Sequence, residues 1–257
     1  MSKLSGIFKA AYLGKIEDVK GYLEKGIDIN KGDKEGFTPL LLAIQGGHLE
    51  LVKYLLDLGA DIRIGSNNFF SAFEVACFEG NLDVVRLLLN KNYDFLNEDY
   101  RSLHLAASTG KYEMVKYLVS KGMDVNKKDY SERTPLHWAI QEGHLEVVKL
   151  LHELGANLEE LEEYNQTPLY IASGEGHVEI IEYLIRNKVK IDFAIDACTP
   201  LVIACLFNHI KAVDLLIKNG ASIEVKDEKG RTPLFLTALR GNTDIVKQLL
   251  DYGAIKT

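Results

Sequence analysis

The sequence predicts an all-α repeat fold, a solenoid of about eight stacked helix-turn-helix units joined by β-hairpin loops. Three observations carry that expectation. Thr-Pro-Leu recurs at residues 38, 134, 167, 199 and 232, the last four copies lying 33, 32 and 33 residues apart, and a fixed period of this size marks a stacked-repeat architecture. Four of the units place a histidine, His48, His144, His177 or His209, just after the turn that ends the first apolar run. The second run, as in Leu145, Val147, Val148, Leu150 and Leu151, is apolar over a face broad enough to pack on more than one side.

The first unit, residues 1–32, opens at Gly6-Ile7-Phe8-Lys9-Ala10-Ala11 without the tripeptide. Lys9 stands where later units carry Leu42 and Trp138, and Asp18 and Gly21 replace Leu51 and Tyr54, the polar outer face expected of an N-terminal cap. The second unit, 33–65, is regular. The third, 66–95, and fourth, 96–128, begin on the weaker copies Ser71-Ala72-Phe73 and Arg101-Ser102-Leu103, at steps of 33, 30 and 33 residues. Losing Thr-Pro should weaken the fourth unit's first helix by about 1 kcal/mol unless Ser102 or a neighbour caps it.

The fifth unit, 129–161, shows the pattern most fully. Thr134 is an N-cap whose hydroxyl can accept from an orphan backbone N–H, and Pro135 at the first helical position has its torsion already set. Gly143 ends the first helix at low cost in the left-handed conformation, His144 opens the second, and Gly155 closes it. The sixth unit, 162–193, and seventh, 194–226, repeat this. In the eighth, 227–257, Thr243 and Gln248 stand where Leu49 and Tyr54 do in the second unit, a polar C-terminal cap. The expectation is a single array over 1–257 with no linker, its stability a sum of nearest-neighbour terms.

Composition narrows the function. The chain has 30 basic and 37 acidic residues and a net charge of −7, which disfavours nucleic acid and anionic membrane surfaces as partners. Lys3 and Lys9 interrupt the N-terminus where a secretory signal needs an apolar run, and no stretch approaches the roughly 18 to 20 apolar residues of a membrane helix. Cys77, Cys198 and Cys205 form no CxxC pair and leave one unmatched, so buried thiols in a reducing, cytoplasmic setting are expected. Secretion by a route independent of a signal peptide stays open, and the chain is expected to be a monomer.

The period and the Thr-Pro-Leu-His motif resemble the ankyrin repeat family, and the resemblance covers nearly the whole chain. It implies that the imidazoles of His104 and His137 hydrogen-bond the backbone between adjacent units. It also implies a concave face, built from hairpin tips and exposed first-helix positions, where partners bind. In an animal protein, Asn30 and Asn126, in the contexts DIN and DVN, would resemble asparagines presented for hydroxylation.

No catalytic, cofactor or metal site is expected. Histidines spaced by the repeat stand about 10 Å apart, as packed helices do, too far for shared ligation at about 2 Å; only His152 lies off the pattern. There is no G-x-S-x-G, H-E-x-x-H or P-loop, and Gly174 to Gly176 is a helix end. Cys198 precedes Thr199 on the hairpin side, where it would be exposed and oxidisable. Glu159, Glu160, Glu162 and Glu163 read as a solvated hairpin.

What remains is surface. The tips are rich in aromatic residues, Phe37, Phe69, Phe70, Tyr100, Tyr130 and Tyr164, joined by Arg101 and Arg133, the side chains that dominate interface energetics. Packing of ring against neighbouring hairpin is the competing explanation. On the first helices Gln141 is a polar candidate, while Phe78, Leu206 and Phe207 are apolar where the repeat is usually polar. Together these predict a non-enzymatic module that binds another protein through the concave face, centred on the irregular third and fourth units. A regulatory inhibitor or host-directed effector acting by occupying a partner's surface is the alternative, and an enzyme with an unrecognised groove site a further one.

Overall fold

The computed structural model describes residues 5–67, 70–90, 101–195 and 198–255. Sixteen helices lie among them, in pairs: α1 (Gly6–Tyr12) with α2 (Ile16–Glu24), α3 (Pro39–Gln45) with α4 (Leu49–Asp57), α5 (Ala72–Glu79) with α6 (Leu82–Asn90), and α7 (Ser102–Ser108) with α8 (Tyr112–Ser120). The remaining pairs are α9 (Pro135–Gln141) with α10 (Leu145–Glu153), α11 (Pro168–Glu175) with α12 (Val178–Arg186), α13 (Pro200–Leu206) with α14 (Ile210–Lys218), and α15 (Pro233–Leu239) with α16 (Thr243–Asp251). They form two compact units, Met1–Met123 and Asp124–Thr257.

Helices of seven to nine residues are too short to persist alone, so caps and stacking hold them. The hydroxyls of Thr38, Thr167, Thr199 and Thr232 accept from the N–H three residues on at 3.1 to 3.3 Å. Ser71 builds a capping box with Glu74, its hydroxyl accepting from Glu74 N–H at 3.2 Å while Ser71 N–H donates to Glu74 Oε2 at 2.8 Å. The fourth unit's helix starts at Arg101, which makes no side-chain cap bond; Ser102 is buried inside α7.

In the pairs from α3 to α14 the first helix is the one packed most fully. In α3 every residue from Pro39 to Ile44 is buried, and in α7 every residue from Ser102 to Ala107. Second helices bury one stripe, as in Leu51, Val52 and Leu55 or Ile180, Ile181 and Leu184. The sequence pattern draws attention to the second run, and α10 does bury Val147, Val148, Leu150 and Leu151; the seven-residue first helices show too little sequence for periodicity to separate a buried helix from an amphipathic one. In the last pair Thr243 is exposed, and α15 exposes Phe235 (47%) and Leu239 (70%).

The loops close without a sheet among the described residues; Ile195 and Cys198 form a single isolated bridge. A carboxylate organises four of the fingers instead, and the Ser66 hydroxyl accepts from Phe70 N–H at 3.3 Å in another. Asp129 Oδ1 accepts from Ser131 and Arg133 N–H, both at 2.9 Å, and Asp33, Glu162 and Asp227 do the same in their own fingers. This Asx-type turn satisfies the finger's donors that a strand ladder would otherwise take. Between loops, Asn30 Oδ1 accepts from Asp61 N–H at 2.9 Å, and Asn126 accepts from Asn157 N–H at 3.0 Å while donating to Gly155 carbonyl at 3.1 Å.

Units within each half are also fastened through helix ends. The last carbonyls of a short helix have no intrahelical donor, and the following unit supplies one. Imidazole Nε2–H of His48 donates to Tyr12 carbonyl at 2.9 Å, that of His177 to Gln141 at 3.0 Å and that of His209 to Gly174 at 2.8 Å. Asn242 does the same for Cys205 at 2.9 Å. In the fourth unit Lys111 holds the histidine's place, and the one proton of the Thr109 hydroxyl is shared between Leu105 carbonyl of its own helix at 2.8 Å and Phe78 carbonyl of the preceding unit at 3.1 Å.

A second fastening runs from the third residue after the cap. His137 Nδ1 accepts from Thr134 N–H and its Nε2–H donates to Glu160 carbonyl, both at 3.1 Å; burial pushes its pKa down to about 4, so the ring is neutral. In the third unit Glu74 occupies this position. Its Oε2 takes Ser71 N–H, and its Oε1 accepts from Arg101 Nε of the next unit at 3.0 Å. The connection has two ends as in His137, with the far end reversed in polarity.

Candidate functional site

In the Met1–Met123 unit the expected surface residues divide. Phe37 is half-buried at a finger closed by Asp33. Phe70 is half-buried too, with the Arg101 guanidinium 5.4 Å above its ring, a cation–π contact that continues the Glu74 ion pair. Arg101 is thereby engaged within the fold. Phe78 is 42% exposed on α5. Phe69 and Tyr100 lie outside the described residues, so the finger expected at the centre of the surface is only partly described.

In the Asp124–Thr257 unit three expected residues converge. Arg133, Gln141 and Phe207 line one groove of about 570 Å³ together with Gln166, Tyr170, Ile171, Gly174, Glu175, Ile203 and His209. Its frame is made by first helices: Gln141 ends α9, Ile171 and Gly174 lie on α11, and Ile203 lies on α13. Arg133 is fixed from two sides, its Nη2 donating to Gln141 Oε1 and its guanidinium 5.8 Å from the Trp138 ring. Trp138 in turn donates Nε1–H to Asp129 Oδ2 at 2.8 Å, tying the groove wall to the finger.

At the other wall Phe207 is 62% exposed and stacks on His209 at 6.5 Å between centroids. Because His209 is held by Gly174 carbonyl, the ring has a fixed support. The finger rings Tyr130 and Tyr164 remain 85% and 67% exposed, so packing against a neighbouring hairpin does not account for them. Leu206 is half-buried and does not line the groove.

Tyr170 hydroxyl donates to Cys198 Sγ at 3.5 Å, and burial raises the pKa of both groups, which keeps them protonated and withholds a thiolate nucleophile. Cys198 is half-buried, less accessible than its hairpin position suggested. His152 contacts Tyr183 hydroxyl through Nδ1 at 2.7 Å. Among the described residues no group of three or more His, Cys, Asp or Glu side chains is placed to hold a metal ion, and no helix is long and apolar enough to cross a membrane.

Sequence reading missed Gln166, Tyr170, Ile171, Gly174, Ile203 and His209 as groove residues. The signal was present at Gly174, the only bare position in a column that elsewhere carries Tyr12, Gln45, Phe78, Ser108, Gln141, Leu206 and Leu239.

The model of ankyrin repeats in three copies matches residues 7–99, 95–161 and 155–227, and that of the single ankyrin repeat matches 229–256. No curated protein matches the chain. With paired helices, caps and inter-unit fastenings repeating in register under these matches, the chain belongs to the ankyrin repeat family, whose arrays are generally protein–protein interaction modules and typically non-enzymatic.

Proposed function

We propose that the chain binds another protein through the first-helix face of its Asp124–Thr257 unit. The observation that carries this reading is the convergence of Arg133, Gln141 and Phe207 on one groove, next in sequence to fingers that hold Tyr130 and Tyr164 in solvent. A large exposed ring with a rigid support loses little entropy on binding, which is why such residues become hot spots. Phe78 offers the same chemistry on α5 of the other unit.

Affinity capture from a lysate of the native organism tests this. The full chain, a Phe207→Ala/Tyr164→Ala variant and a Glu146→Gln control on the exposed side of α10 are compared by quantitative mass spectrometry. A protein retained by the parent and control and lost at least tenfold by the double variant is the expected result, in line with hot-spot truncations of about 2 kcal/mol. Retention that follows Glu146 and ignores the rings refutes the assignment.

A further inference from the structure

Gly174 is a glycine that the fold does not require. It sits inside α11 and is absent from the positions of positive φ. A Cβ there would meet only Ile203 Cγ1, at 3.5 Å, an ordinary contact; at Gly143 and Gly176 a Cβ would come within 2.7 and 2.4 Å of the His177 and His209 rings. Glycine inside a helix is unfavourable relative to alanine, and the seven other units all place a side chain at the same position. What the glycine supplies is the hollow between Gln141 and Phe207.

The groove's charges are of both kinds: Arg133 is held against Gln141 and Trp138, and Glu175 is the lining's one carboxylate. Glu142 and Glu175 are exposed at the position after Gln141 and Gly174, and neither forms an ion pair among the described residues. The third member of the same row is Phe207. The chain as a whole carries a net charge of −7, so the long-range field also favours a cationic ligand. Toward the finger, the amides of Gln141 and Gln166 offer hydrogen bonds of the kind an extended backbone makes.

Building on the interaction module above, we propose that the groove takes an extended segment of the partner protein, with one large aliphatic side chain in the hollow over Gly174 and a neighbouring lysine or arginine against Glu142 and Glu175. Apolar burial supplies affinity at the hollow, and the carboxylates fix direction and speed encounter.

A random dodecapeptide display library selected on the full-length chain is the probe. The enriched pool is then measured on Gly174→Leu, on Gly174→Ala, on Glu142→Gln/Glu175→Gln and on the Glu146→Gln control. Leu206 and Leu239 show that the register accepts leucine, and a melting midpoint at or above the parent's shows that Gly174→Leu folds. The expected pool pairs an aliphatic residue with nearby basic ones, and its binding falls roughly tenfold on Gly174→Leu and about fivefold on the double Gln variant. Acidic enriched sequences, undiminished binding to Gly174→Leu, or no enrichment over bare matrix overturn the proposal. Lysate capture that depends on Phe207 and Tyr164 but not on Gly174 removes this ligand and keeps the module; capture insensitive to all three removes both.

Discussion

Replacing Glu74 by alanine tests how the irregular units are joined. The carboxylate holds Ser71 N–H at 2.8 Å and Arg101 Nε at 3.0 Å, with 8% of the Glu74 side chain and 27% of the Arg101 side chain exposed. Stranding one partner of a fully buried pair costs about 3–5 kcal/mol. Because Arg101 keeps part of its surface in water, solvent screening reduces its share to roughly 2 kcal/mol. The lost acceptor for Ser71 N–H adds about 1 kcal/mol. Glu74→Ala should therefore cost about 3 kcal/mol, and Glu74→Gln, which keeps an oxygen for one donor but turns an amide NH2 on the other, about 2 kcal/mol. Repeat arrays need not unfold in one step, so the assay is hydrogen exchange resolved to α5 and α7, in a double-mutant cycle with Arg101→Ala. A coupling of about 1–2 kcal/mol is expected; single costs that add to within roughly 0.5 kcal/mol would show that the pair fastens nothing.

Four further outcomes follow from the geometry. His137, with a folded pKa of about 4 against an ordinary value of 6.5, contributes stability that is complete above pH 6.5 and lost as pH falls toward 4, about 3 kcal/mol in all; an NMR titration midpoint near 6.5 would refute this. His209→Ala should cost about 1–2 kcal/mol through the lost bond to Gly174 carbonyl, while His209→Asn should be milder, as Asn242 already plays this part for Cys205; equal melting losses would count against it. Thr109→Val should cost no more than about 1 kcal/mol, because the lost proton is shared between Leu105 and Phe78 carbonyls, seen as faster exchange in α7. Gly174→Ala should stabilise the fold by roughly 0.5–1 kcal/mol, and a lower midpoint in urea would mean the glycine serves packing.

Most of the fold was legible because its determinants are local. A Thr-Pro start, a left-handed turn residue and an apolar run each act within a few residues, and the period multiplies the signal. The irregular fourth unit was legible only as a loss. Read alone, Arg101 looks like decay of a Thr-Pro pair and Glu74 like a misplaced charge in an apolar helix. Their meaning appears when adjacent units bring them to 3.0 Å, where they replace the fastening that His137 makes elsewhere. Lys111 and Thr109 form a similar exchange. The aromatic signal at the fingers led toward Phe70 and Arg101, which the fold uses internally, whereas the groove formed around Arg133, Gln141 and Phe207. Its hollow was hard to foresee because it comes from a missing side chain, and pattern reading follows the side chains that are present.

Which face carries the partner is the central claim, and hydrogen exchange with and without the captured protein tests it most directly. Slowed exchange at the fingers and along α9, α11 and α13 is the predicted result. Protection confined to α10, α12 and α14, with the first helices unchanged, would contradict the account.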